Sequence, residues 1–172
     1  MRFANTVFAA VLFLPLAVPQ VRPVPPPGVE VPDNDRAALK EGLAELNEAL
    51  NPLRGSALYA DVAIFERAVR IALENNEFFQ PEDIGKARRL LREGLERAKQ
   101  LAQGEAPWTR STGLVVRGYV SQIDNTVQPY GLVVPASYSA GAPRDWRLDA
   151  WFDGRNDRPG EVSGLADRTA GR

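Results

Sequence analysis

The segment Ser137-Tyr138-Ser139-Ala140-Gly141 comes closest in this chain to G-x-S-x-G, the motif that exposes a nucleophilic serine on a sharp strand-to-helix turn. It carries serine where the first glycine belongs. Asp153 with Asp157 or Glu161 offers a second chemistry, the carboxylate pair of glycoside hydrolysis; acids at short spacing around glycines read first as surface charge. Arg88, Arg89, Arg92, Arg97 and Lys99 form a candidate anion patch. Acids interleave with them: Arg89–Glu93, Arg92–Glu96 and Glu93–Arg97 stand four residues apart, the spacing of ion pairs on a solvated helix face, and that is the preferred reading. No position holds histidine or cysteine. An imidazole base, a Ser-His-Asp triad, a thiol nucleophile or a Cys- or His-ligated metal therefore cannot be assembled from this chain alone, and neither metal nor cofactor is expected. The 21 Lys+Arg against 22 Asp+Glu give a formal net charge of -1, so nucleic acid is not an expected partner.

The elements that must position these residues fall into two regions. From residue 33 to 104 the apolar period is near 3.6. Leu39, Leu43, Leu46 and Leu50 mark a first helix, with Asp33 or Asn34 as the expected N-cap and Pro52 as its stop. Leu58, Val62, Phe65, Val69 and Leu73 mark a second, widened by Ile64, Ala68 and Ala72 and ended by Asn75-Asn76. A third opens at Pro81, with Glu82 and Asp83 beside the positive end of its dipole, and follows Ile84, Ala87, Leu91, Leu95 and Ala98 to Gly104. Three such stripes can bury one another as a small antiparallel bundle. Phe78-Phe79 is expected to plug the bundle end or its seam with the C-terminal region.

After Gly104 that period vanishes. Residues 113–120 and 128–135 read as strands joined by a turn at 123–127, and residues 145–152 as a third strand that runs into Asp153-Gly154-Arg155. Successive apolar residues in Leu114-Val115-Val116 and Leu132-Val133-Val134 predict a sheet covered on both faces.

A strand, a turn, Gln128-Pro129-Tyr130-Gly131-Leu132-Val133-Val134-Pro135, a polar loop and an apolar strand ending in Asp153-Gly154-Arg155 resemble the opening of an α/β-hydrolase catalytic domain. Secreted bacterial prolyl-oligopeptidase-like peptidases and esterases are the most similar in kind. The resemblance covers roughly residues 111–172. It implies that Gly154 and Arg155 match the oxyanion loop, whose backbone N–H groups face the charge that develops on a tetrahedral intermediate. Asp153 stands where the family usually has His, and a carboxylate there disfavours an oxyanion. It also implies a serine nucleophile, an acid and a histidine further along such a protein. The 137–141 segment precedes the third strand, the wrong side of that loop, and is rejected as the elbow.

At the N-terminus Arg2 is the only charge in the first twenty-one residues, and the apolar run 7–18 is shorter than the ~20 residues of a membrane-spanning helix. This is the pattern of a secretory signal peptide; a buried helix or an uncleaved anchor are the alternatives. Six of the fourteen prolines then lie between Pro19 and Pro32, the composition of an extended spacer. The expectation is an exported α+β protein without a stable membrane span after signal cleavage. Its parts are a signal peptide at 1–20, a Pro-rich linker at 21–32, a helical accessory region at 33–104 and, at 111–172, the truncated start of a hydrolase-like sheet. Its function on this expectation is that of a catalytically inactive N-terminal portion of a serine hydrolase acting on a peptide or ester. The alternative is a non-enzymatic helical interaction module with a β appendage.

Overall fold

The computed structural model describes residues 26–139, 145–150 and 160–169. Three long helices come first: α1 (Asp33–Leu50), α2 (Tyr59–Asn75) and α3 (Glu82–Ala102). The α1 stripe is the expected one, with Leu39, Leu43, Leu46 and Leu50 all buried. Its cap differs: Pro32 precedes the helix and no side chain caps it, so Asp33 and Asp35 contribute charge in the first turn instead. Pro52 does end α1, in a 3-10 turn at Asn51–Leu53. At the end of α2, Asn76 adopts φ 54°, a left-handed conformation that Asn tolerates, and its N–H returns to the Ala72 carbonyl. Thus the helix stops by a backbone cap rather than by side-chain competition.

Buried residues occupy nearly every side of α2, from Ala60 to Ala72. The adjacent residues Ile64 and Phe65 show why. A Cβ at Gly118 of the sheet would lie 2.8 Å from the Ile64 side chain, whereas one at Gly94 of α3 would lie 2.9 Å from Phe65 Cβ and 2.8 Å from the Leu46 side chain. Gly94 therefore lets α1, α2 and α3 approach to backbone distance, and α2 is sandwiched between those helices and the sheet.

A 3-10 turn at Pro107–Arg110 leads into β1 (Gly113–Val120), which pairs antiparallel with β2 (Val127–Val134) in the register Val115↔Leu132, Arg117↔Tyr130 and Tyr119↔Gln128. The turn between them is built by Asp124, whose Oδ1 accepts from the Thr126 N–H (3.2 Å) and hydroxyl (2.8 Å), with Asn125 at φ 57°. A bond from the Ser121 hydroxyl and these two from Thr126 hold the exposed Asp124 carboxyl below its ordinary pKa.

Three expectations need correction. Residues 145–150 form no strand: Arg147 pairs locally with Asp149 and Leu148 is 83 % exposed. The sheet among the described residues is two-stranded. Second, covering on both faces holds for β1 alone, where Val115 and Val116 are buried; Val133 of β2 is 74 % exposed. Third, the end of the Pro-rich linker is not a free spacer. Val29 N–H bonds the Phe78 carbonyl, Val31 is buried, and a methyl at Gly28 would collide with the Asn76 carbonyl. Within the region expected to be β-rich, residues 161–169 form a fourth helix, α4 (Glu161–Thr169), which buries Val162, Leu165 and Ala166 against α2, α3 and β1. Phe79 meets the start of α4 at Gly160, and Phe78 is fully buried, so the aromatic pair does fill that seam. The signal peptide at 1–20 lies outside the described residues, and no described helix is long and apolar enough to cross a membrane.

Candidate functional site

The densest polar constellation is buried where α2 meets β1. Asp61, in the first turn of α2, is 1 % exposed. Its Oδ2 accepts from Arg117 Nε (2.8 Å) and Trp108 Nε1 (3.0 Å), and its Oδ1 accepts from the Gly118 backbone N–H (2.7 Å). Beside it Arg97 of α3, 5 % exposed, donates to the carbonyls of Val116 (2.9 Å) and Asp61 (3.3 Å) and to Glu93 Oε1 (3.2 Å). Its guanidinium stacks on Phe65 and Trp108, 4.8 and 5.1 Å from the ring centroids. Two buried charges are thus compensated by hydrogen bonds, which is what makes their burial tolerable.

This arrangement fixes parts of the molecule rather than performing a reaction. Both Asp61 oxygens face protein donors, and the carboxylate has no open side toward solvent. Gly118 is part of the device, since a Cβ there would lie 2.1 Å from the Ala60 carbonyl oxygen. Glycine lets β1 lie directly on the start of α2, with its N–H aimed at Asp61. A cleft of about 160 Å³ lies alongside, lined by Glu93, Glu96, Arg97, Trp108, Ser111 and Thr112 among others. Small-molecule pockets usually hold at least ~300 Å³, so the cleft suits at most one small group.

A second cluster fastens α4 to α3. Asp83 accepts from the Phe79 and Gln80 N–H groups (both 3.0 Å) and from the Ser163 hydroxyl (2.7 Å); Lys86 Nζ lies 3.2 Å from that hydroxyl and 3.4 Å from both Asp83 and Asp167. Burial alone would raise the Asp83 carboxyl. The bonds from Ser163, Gln80 and Phe79, together with the Lys86 ammonium, outweigh it and hold the group below its ordinary pKa. A serine beside a lysine could suggest a nucleophile and base. Here the Ser163 hydroxyl donates to the Asp83 carboxylate rather than to the lysine, so neither role is set up.

The residues singled out from sequence are scattered. Asp153, Gly154 and Arg155 lie outside the described residues, as does Asp157. Glu161 is half-buried and pairs with Arg67 at 2.8 Å. Ser137 and Ser139 lie in an exposed loop after β2, and Ala140 and Gly141 lie outside the described residues. In the basic group, Arg88 pairs with Asp35 of α1 and Arg89 donates to the Ala166 carbonyl of α4 (3.1 Å). Arg97 corrects the reading of a solvated face: it is core, although its Glu93 pair is present as spaced. Asp61 is absent from the sequence-derived candidates. Its signal is a lone acid in the otherwise apolar opening Tyr59-Ala60-Asp61-Val62-Ala63-Ile64-Phe65, whereas its partners lie 47 to 57 residues away and no local pattern points to them.

Compared with protein-family models, curated proteins and solved structures, the chain matches none.

Proposed function

We propose that the chain is a non-enzymatic interaction module whose helices hold the β1–β2 hairpin out toward a protein partner with a shallow apolar pocket. One observation carries this reading: apolar side chains gather at the turn end of a hairpin that is rigidly fastened elsewhere. Ile123 is 97 % exposed on the turn, Tyr119 and Tyr130 are exposed on one face of the hairpin, and Val120 is exposed on the other. Tyr119 and Tyr130 form an edge-to-face pair at 6.1 Å. Single exposed apolar residues are ordinary, but an exposed tyrosine pair beside an exposed apolar turn on a rigid support is a form that a docking patch takes. The Asp124 turn and the Asp61–Arg97 constellation supply the rigidity.

A photo-crosslinking amino acid at position 123 or 130, compared with one at the exposed Lys40 of α1, tests this in cells that express the protein. A discrete adduct from the hairpin positions alone is expected; equal labelling from position 40, or none from any, refutes the patch.

The second reading is the N-terminal portion of an exported serine hydrolase. What supports it is the strand–turn–strand unit at 113–134, in the place and order that the resemblance implies. A coding sequence that continues past codon 172 into G-x-S-x-G, Asp and His favours this reading. Esterase turnover by the chain itself, abolished by a fluorophosphonate, contradicts both.

A further inference from the structure

The hydrogen-bond register shows which backbone groups of the hairpin face outward. Gly118 gives its N–H to Asp61 and Val116 gives its carbonyl to Arg97, so these two residues turn their polar groups away from β2. The Ser121 N–H bonds the Thr126 carbonyl at 2.8 Å, which sets the odd-numbered residues of β1 as the hydrogen-bonded positions. Their neighbours Val127, Pro129, Gly131 and Val133, opposite Val120, Gly118, Val116 and Leu114, therefore aim their backbone groups at the outer edge of β2. The two edges of the sheet are unlike. That of β1 is closed by α2 and α3 through Asp61 and Arg97. That of β2 meets no partner strand among the described residues.

An open edge of apolar sequence is a template for another strand, above all for a second copy of itself. Pro129 sits at the outward-facing position midway along this edge. It lacks the N–H, and its ring projects where an incoming carbonyl would have to come. On one side of Pro129 only Val127 offers an outward donor within β2, and on the other only Gly131 and Val133 do before Pro135, each too short a run for a stable ladder.

We infer that Pro129 is a guard: it keeps the β2 edge from pairing with the β2 edge of a second copy, so the hairpin can expose its apolar turn while the protein stays monomeric. An antiparallel pairing centred on Gly131 sets position 129 against Val133 of the copy, twice per dimer by symmetry. Proline at 129 blocks both places, and any longer register also runs across it. Because its nitrogen faces away from β1, the proline does this without removing a bond from the hairpin. The inference rests on the reading of the chain as an interaction module.

The test is Pro129→Val, with Pro129→Ala as a second variant that also restores the N–H. Sedimentation equilibrium should give the mass of one chain for the wild type at all concentrations. For the variants the mass should rise with concentration toward twice that value, with an infrared band of intermolecular antiparallel strands. Adding Val133→Pro to Pro129→Val places a new proline at another outward position and should restore the single-chain mass. A Pro129→Val protein that folds like the wild type and stays monomeric overturns the inference. So does a wild type that dimerises and is made monomeric by Val133→Pro. Loss of the fold in both single variants also overturns it, since the hairpin would then need the ring rather than lack the donor.

Discussion

Asp61 ties α2 to β1 and to the turn before it, because one carboxylate satisfies a strand amide, an indole and a guanidinium at once. Asp61→Ala leaves the buried Trp108 N–H and the half-buried Gly118 amide and Arg117 guanidinium without their acceptor, and a donor left unsatisfied in this way costs about 1–3 kcal/mol. Asp61→Asn keeps an acceptor for the Gly118 amide but loses the charge that faces Arg117, so its cost should be smaller. Urea unfolding of the three proteins checks the order, and an Asp61→Ala protein as stable as the wild type would show that the constellation is not a fastener. Phe65→Ala belongs at the same scale: the ring is wholly buried beneath Arg97 and against Gly94, and such truncations cost about 3–5 kcal/mol. Phe65 is legible from its place on a stripe of period 3.6. Asp61 is visible in the sequence as an odd residue without a meaning, since a polar group's partner in a fold is set by tertiary distance and not by spacing along the chain.

The helices show which elements a sequence writes plainly. A stripe that repeats every three or four residues specifies a helix and its buried face together, so α1, α2 and α3 can be placed within a residue or two. The helix α4 has the same signature in Val162, Leu165, Ala166 and Thr169, but it is compressed into nine residues, interrupted by Gly164 and masked by polar neighbours. The strands β1 and β2 are legible from their β-branched runs. The third expected strand is absent at 145–150, because alternation alone does not say whether an edge is there to receive it, and Pro129 withdraws a donor from the edge of β2. At this scale Asp83 governs how α4 responds to acid. Its folded pKa is depressed, so the stability that it contributes is fully present above the unfolded value near 3.9 and is lost as pH falls through the folded value. Asp83→Asn keeps an acceptor for the Phe79 and Gln80 amides but cannot ionise. The thermal midpoint of the wild type should exceed that of the variant at neutral pH, and the gap should close as the pH is lowered below the carboxylate range. A gap that is constant with pH refutes the assignment.

In the whole molecule α2 is shared property: α1 and α3 cover one side of it, β1, β2 and α4 the other. Neither side can leave without exposing apolar side chains of α2, with Val62, Ile64, Phe65 and Val69 each at most 1 % exposed. The helices and the hairpin should therefore unfold as one unit, despite the change of period at Gly104 that suggests two regions. Composition sets the limits, with no histidine or cysteine to build the common active sites, but it cannot reveal that one helix serves two layers. In hydrogen exchange, the wild-type amides of β1 that bond to β2 should share the opening free energy of the α2 amides, since both need global unfolding. In Asp61→Ala the hairpin loses its bond to α2 while the α1–α2–α3 seams at Gly94 stay intact. Its amides should then exchange faster than those of α2, splitting one unfolding unit into two. If the hairpin amides of the wild type already exchange well ahead of α2, the sheet is an appendage on a finished helical core, and the rigid support that the docking patch at Ile123 requires is missing.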